Sequence, residues 1–398
     1  MTIRPETAVP ATAEAVIIGG GVMGASILHS LAVRGMTNTI LLERDVLGAG
    51  STGRSSSAIR MHYSTEVHAR MAWESFKVFR NFREIVGGEC GFTRTGHLIM
   101  GAEKDGDTFR ANVAMQQGVG IDTRLVSREE AQELAPSFFL EDCGVIAYEP
   151  LCGYGDASAT CSSFAQAARD RGARVILRCP AVSIDVTKGK VRGVVTADGR
   201  VSTNRVVVAT GPWSRKFLLE HGIDLPLEAT RHEVMHLRRG PEGPDYHPGG
   251  GDLMNQIYFR PEGADLTLVG NGNMEDVVEN PEIFAQRASP GFIQEIWSRL
   301  ARRIPSLADA EFSTGYAGLY TSTPDSHPVI DAVPGIEGLY VCTGFSGHGF
   351  KLSPMVGKLM AELMLDGQAT SIDISPLRIS RFAEGDLNNT GYGFRVMV

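Results

Sequence analysis

Ala15-Val16-Ile17-Ile18-Gly19-Gly20-Gly21-Val22-Met23-Gly24 is the stretch on which the fold turns. Four apolar residues stop at a run of glycines, as a buried parallel strand does on entering a tight turn. Gly19, Gly21 and Gly24 satisfy G-x-G-x-x-G. The first glycine allows the turn, the second lets the backbone approach a pyrophosphate, and the third lets the following helix pack on the strand. Ser26 to Arg34 reads as that helix, and Thr39-Ile40-Leu41-Leu42 as a second strand closed by Glu43. A carboxylate about twenty residues past the glycines can accept both hydroxyls of a ribose. The βαβ unit therefore reads as a dinucleotide site, and the motif alone leaves nicotinamide and flavin both open.

The chain has 398 residues, which at about 150 per domain is room for two to three domain equivalents. A peptide or a lone zinc finger is excluded. Hydrophobic residues at 43% and charged residues at 21% are ordinary for a soluble globular protein, whereas 46 glycines exceed the usual share of about 7%. The net charge is −8 with no basic block, which argues against duplex nucleic acid or an anionic membrane as partner. A small anionic substrate would need local positive charge. Six cysteines without C-x-x-C spacing read as free thiols in a reducing, cytoplasmic setting. Met1 to Glu14 reads as a loose leader with no apolar run, and no later stretch reaches the length of a membrane span.

Further along, Thr65 to Val86 has helical periodicity, Gly96 to Met100 reads as a strand and Asp107 to Gln117 as a polar helix. Ala157 to Arg171 reads as helix, followed by runs Val182 to Val186, Val191 to Thr196 and Val201 to Ala209 joined by hairpin turns. The last run ends at Thr210-Gly211-Pro212. Residues 226–323 are strand-rich, with one helix over Pro290 to Arg303. Gly338 to Cys342 reads as a strand, Gly344 to Phe350 as a glycine turn, and Pro354 to Leu365 as a helix with Ser353 as N-cap. A helix N-terminus beside a glycine turn suits the anionic edge of a reduced flavin. Together with the lack of further βαβ units, this favours flavin over nicotinamide.

One motif competes. His232-Glu233-Val234-Met235-His236 matches H-E-x-x-H, which holds zinc only when a helix brings both imidazoles to one face. In a strand-rich region the two rings stand about 13 Å apart at about 3.3 Å per residue, too far to share a metal. The expected metal complement is none.

Gly50 to Tyr63 (GSTGRSSSAIRMHY) and Tyr320 to Lys358 (YTSTPDSHPVIDAVPGIEGLYVCTGFSGHGFKLSPMVGK) resemble the D-amino-acid oxidase superfamily of flavoproteins, in its branch of sarcosine oxidase and dimethylglycine dehydrogenase. The resemblance runs from Ala15 to about Phe382. It implies an α/β fold in which a Rossmann-like FAD-binding domain (1–86, 145–225 and 325–398) is interleaved with a β-sheet-rich substrate domain (87–144 and 226–324). It implies FAD held by Gly19, Gly21, Val22, Met23 and Gly24 at the pyrophosphate and by Glu43 and Arg44 at the ribose. Ser51, Thr52, Ser57 and Ala58 would line the loop under the flavin, Val182 would hold the adenine, and Gly211 would cover the diphosphate. Gly347, His348, Gly349 and Lys351 would approach the isoalloxazine.

For the substrate, Arg60 and Lys351 match the family's basic pair that clamps an amino-acid carboxylate. His348 joins them as a catalytic candidate, and Tyr258 is a candidate for the same pocket or a core tyrosine. The partners implied are a small anionic amino acid and either oxygen or an electron-transfer acceptor, and an oligomer is left open. Three departures sharpen this. Gly318 stands where monomeric sarcosine oxidase carries its flavin-linking cysteine, which implies noncovalent FAD. The segment Cys152 to Ala157 lacks the histidine that tethers a second flavin in heterotetrameric relatives. No lysine lies between Lys216 and Lys351, and Leu268 aligns with the lysine that favours reaction with oxygen, so transfer to a separate acceptor stays open beside oxidase chemistry.

Overall fold

The computed structural model describes residues 9–388. Ala15–Ile18 is a fully buried strand at the centre of a six-stranded sheet. Thr39–Leu42 and then Arg174–Ile176 lie on one side of it, and Val206–Val208, Leu339–Thr343 and Val329–Ala332 on the other. All pairings are parallel except the last, where Val329–Ala332 runs antiparallel. The four inner strands are short, largely apolar runs because both faces of a parallel sheet are covered. The helices Val22–Val33, Glu66–Arg80, Ala157–Arg169 and Gly349–Asp366 pack one face, around Ile27, Leu28, Phe79, Phe164 and Leu359. A three-stranded sheet formed by Ala181–Thr187, Lys190–Thr196 and Gly199–Ser202 packs the other.

A second, eight-stranded sheet has the order Glu311–Ser322, Glu228–Arg238, Leu266–Asn271, Ile257–Glu262, Gly249–Asp252, His97–Gly101, Val145–Glu149, Arg124–Leu125. Its outer face packs the helix Pro290–Arg303 through Phe292, Ile296 and Leu300, four residues apart on one helix face. Ser289 Oγ accepts the Phe292 N–H at 3.3 Å, and Pro290 fills the first position, where no N–H is needed. Its inner face carries Tyr258, Leu268 and Val234, which cluster with Phe109 and Val113 of the helix Gly106–Val119. The fold is thus the expected α/β architecture of a Rossmann-like sheet and a large β-rich layer.

Several sequence expectations are corrected. The run Val201 to Ala209 divides at Thr203, whose Oγ1 accepts the Arg205 N–H at 3.3 Å. Its first part stays in the three-stranded sheet and its second enters the main sheet. Val145–Glu149 pairs with His97–Gly101, so the large sheet takes one strand from beyond residue 144. The helix from Thr65 stops at Arg80 and a short turn, Phe82–Ile85, follows. Within the leader, residues 1–8 lie outside the described residues. Ala13 N–H bonds Ser202 O at 3.0 Å, which adds this segment to a sheet edge. The last long helix starts at Gly349 with His348 before it, not at Pro354. Left-handed backbone at Gly344, Ser346 and Gly347 turns the chain directly into the helix, leaving Pro354 inside it and Ser353 Oγ buried without a partner among the described residues.

All six cysteines are buried and free. No helix among the described residues is long and apolar enough to cross a membrane. His29, His232 and His247 are buried in this framework, and burial lowers their pKa values to about 4, about 3 and about 4. The folded state therefore keeps them neutral while the unfolded chain protonates them near 6.5. Their stabilising contribution is full above the unfolded value and is lost as pH falls toward the folded values. The thermal unfolding midpoint is expected to drop by about 5–10 °C between pH 7.5 and 5 at fixed ionic strength. A flat midpoint across that window would contradict this assignment.

Candidate functional site

Gly19 ends the first strand at φ +115°, and a Cβ there would overlap Ala209 O. A Cβ on Gly20 would lie 2.7 Å from Glu43 Cβ. This close approach lets Glu43 accept the Gly20 N–H at 2.7 Å and the Asp45 N–H at 2.8 Å, which fixes the carboxylate at the end of the second strand. Val22 opens the helix, and its N–H donates to Thr52 Oγ1 at 3.0 Å. The first turn carries no acidic side chain, so its remaining N–H groups and positive dipole end face the space in front of them. Gly24 lies behind: a Cβ there would strike Gly19 O.

That space is a cavity of about 590 Å³, within the range of a cofactor pocket. Of the expected cofactor residues, Gly19, Gly21, Val22, Met23, Glu43, Arg44, Ser51, Thr52, Val182, Gly211, Gly347 and Gly349 line it. Gly24, Ser57, Ala58, His348 and Lys351 do not. Gly24 packs the helix on the strand, and His348 and Lys351 are buried beside Gly347 and Gly349, which do line the cavity. Residues that sequence reasoning passed over also line it, among them Arg54, Trp213 and Tyr320. Arg44 lies 4.1 Å over the Trp213 ring and pairs with Glu282 across the cavity mouth. The signal for Trp213 was its place directly after Thr210-Gly211-Pro212.

The cradle fits a dinucleotide carrying a large ring system. Glycines whose side chains would fill it, a helix N-terminus at one end, a fixed carboxylate at the second strand and a second helix start at Gly349 are arranged along one elongated cavity.

Beyond the Gly347–Gly349 end, Arg60, Lys351, His348 and Tyr258 are all buried, with relative exposures of 4%, 7%, 2% and 9%. Arg60 donates to His62 O and lies 4.9 Å over the Tyr63 ring. Its loop is held by Glu149, which accepts the Met61 N–H at 3.0 Å and the Cys152 thiol at 2.8 Å. Burial pushes the Glu149 carboxyl above its usual range. Lys351 sits in the first turn of its helix, and burial, reinforced by the Arg60 charge, pushes its ammonium well below the usual lysine value. Tyr258 projects over Gly270, where a Cβ would come within 2.6 Å of its Cζ. Burial and the neighbouring Tyr320 raise its phenol well above 10. Tyr320 in turn stacks on His232 with ring centroids 3.5 Å apart.

The H-E-x-x-H segment is the strand Glu228–Arg238, as expected, with His232 opposite Gly318 and His236 opposite Leu268 and Thr314. A Cβ on Gly318 would lie 2.9 Å from Arg54 Cβ. Leu268 is 1% exposed and pairs with Arg260.

A nucleotide cradle on a Rossmann-like sheet, with the basic side chains Arg60 and Lys351 buried beyond one end of it, is the construction of a flavin-dependent oxidoreductase. A family model described as FAD dependent oxidoreductase matches residues 14–363, and the chain belongs to that family, with FAD as its cofactor. It is 27% identical to human mitochondrial sarcosine dehydrogenase over 95% of this chain but 42% of that protein. It is 28% identical to human peroxisomal sarcosine oxidase over 93% of this chain and 96% of the relative. The fold matches the crystal structure of L-proline dehydrogenase from P. horikoshii with a TM-score of 0.88, at 27% identity and covering 96% of this chain and all of that one. The glycine oxidase of Geobacillus kaustophilus superposes with a TM-score of 0.79 at 23% identity, covering 94% of this chain and 99% of that one.

Proposed function

We propose that this protein oxidises a small amino acid or N-alkyl amino acid, a secondary amine of the sarcosine type, at its C–N bond. The observation that carries this reading is the burial of two basic side chains, Arg60 and Lys351, together beyond the Gly347–Gly349 end of the cofactor cavity. A carboxylate is the small group such a pair accepts, and a planar guanidinium can do so through two parallel hydrogen bonds. The relatives named for sarcosine and for L-proline support a secondary amine as substrate.

Bound FAD supplies the acceptor for the hydride that leaves the carbon next to nitrogen. The chain's own residues do the rest. Arg60 and Lys351 orient the substrate by its carboxylate, so that the amine and adjacent C–H face the cofactor. Tyr258 and Tyr320 close the pocket from the large sheet and exclude water. The first turn of Gly349–Asp366 directs its N–H groups toward the end of the cavity where negative charge develops. The imine product hydrolyses after release.

Gly318 offers no sulfur and is crowded by Arg54, which supports noncovalent FAD. The nicotinamide alternative is set aside by the family match. For the electron acceptor, a second reading rests on a specific residue. Leu268 puts an aliphatic side chain on the inner face of the large sheet, where a cation would favour reduction of oxygen, and supports transfer to a separate acceptor. Anaerobic bleaching of the flavin by a panel of amino acids tests the substrate class. Repeating the turnover in air and with an artificial dye separates the two acceptors.

A further inference from the structure

A line of buried polar side chains leads from the basic pair to the surface. His348 has both ring nitrogens buried without a hydrogen-bond partner among the described residues. Its ring centroid is 5.6 Å from that of Tyr63, whose hydroxyl is equally unpartnered. Tyr63 is 5.5 Å from His68 between centroids, and His68 Nε2 is the next unpartnered atom. His68 Nδ1 lies 2.8 Å from Thr65 Oγ1, and Thr65 is half-buried at the start of the helix Glu66–Arg80. Leaving buried donors and acceptors unpaired destabilises a fold, so a row of neighbouring ones that ends at the half-buried Thr65 calls for a use. Because these atoms make no hydrogen bond to one another, a bridging water is needed at each step between the rings.

The reaction supplies the use. An amino acid arrives as an ammonium, and hydride can leave its carbon only after the nitrogen has regained its electron pair. One proton must therefore leave a site closed to water. Resting on the amino-acid reading above, we propose that His348, Tyr63 and His68 relay that proton from the substrate nitrogen to Thr65 and bulk water. The substrate N–H bond breaks and its electron pair stays on nitrogen. The proton joins one ring nitrogen of His348, whose other nitrogen passes a proton through a bridging water to Tyr63 Oη. The Tyr63 proton moves through a second bridging water to His68 Nε2, and the Nδ1 proton of His68 leaves through Thr65 Oγ1 to bulk water. Each relay group ends with its original number of protons, and the net transfer is one proton to solvent.

Neutral imidazoles are needed for such a relay, and the surroundings favour them. Burial and the charges of Lys351 and Arg60, with His68 and His327 nearby, hold His348 well below 6.5. Burial and His327 hold His68 well below 6.5, with Asp325 opposing and Arg381 adding to the effect. Tyr63 faces Arg60 and Glu149, and burial raises its phenol. His327 meets the His68 ring edge-on at 4.5 Å, with its Nδ1 2.5 Å from Asp325 O, so it braces His68 from the side.

The test is anaerobic stopped-flow bleaching of the FAD-loaded protein by sarcosine, L-proline and glycine across pH. His68→Ala is expected to slow bleaching about tenfold at pH 7 while the substrate dissociation constant and the flavin spectrum hold. Imidazole in solution should restore the rate. The deficit should close near pH 10, where an aliphatic amine binds already deprotonated. Thr65→Val, at a half-buried position, is expected to give a severalfold loss with the same pH dependence, and it reports on the relay if His68→Ala fails to fold. Wild-type rates in the folded variants at pH 7, or a loss equal at every pH and untouched by imidazole, overturn the relay alone. Wild-type protein that all three amino acids leave yellow contradicts the amino-acid reading and the relay with it.

Discussion

Arg60→Gln is expected to raise the dissociation constant for an amino-acid substrate by about a hundredfold or more, with the flavin spectrum unchanged. Arg60 is buried, its backbone neighbour Met61 is fixed by Glu149, and its guanidinium is held between His62 O and the Tyr63 ring. The fork is therefore preorganised to meet a carboxylate. Removing one side of a buried charge pair costs about 2–5 kcal/mol, and each 1.4 kcal/mol is tenfold in affinity. Arg60→Lys should recover little of the loss, because a point charge cannot make the two parallel hydrogen bonds. Saturation of the bleaching rate with substrate gives the constant directly. A value within threefold of wild type would show that the carboxylate binds elsewhere.

Gly24→Ala is expected to yield protein with little or no flavin and a lowered thermal midpoint. The added Cβ would strike Gly19 O, so the helix Val22–Val33 has to move off the strand whose end frames the cavity. Overpacking of this kind costs about 1–3 kcal/mol, and here it also displaces the helix N-terminus from the pyrophosphate position. Gly118→Ala is the control, since a Cβ at Gly118, inside the helix Gly106–Val119, meets nothing within 4 Å. That change should leave flavin content intact. The flavin-to-protein ratio after acid precipitation reads both variants, and wild type should release all of its flavin to the supernatant. A Gly24→Ala protein with full flavin would contradict the packing role.

The cofactor half of the site was legible in sequence because its chemistry is local. Gly19 to Gly24 and Glu43 belong to one βαβ unit, and their spacing is set by strand and helix geometry. The helix Pro290–Arg303 and the strand containing His232 were legible for the same reason: a cap or a periodicity lies within a few residues. The rest depends on contacts between distant segments. Glu149 meets Met61 across 88 positions, and no pattern near Glu149 announces it. The valines from Val201 to Val208 read as one strand, because an apolar run does not say which of two sheets its halves join. His348 does not line the cavity although Gly347 and Gly349 on either side of it do, which sequence spacing does not encode. A proline normally marks a helix start, and Pro354 misled for that reason. The glycine turn before it had already started the helix.

The most direct measurement of the central claim is anaerobic addition of sarcosine, L-proline and glycine to the FAD-loaded protein while following flavin absorbance. Full bleaching at a rate that saturates with at least one of the secondary amino acids is the predicted result, together with loss of that response in Arg60→Gln. Flavin that stays oxidised with every amino acid tried, in protein shown to bind FAD stoichiometrically, would contradict it.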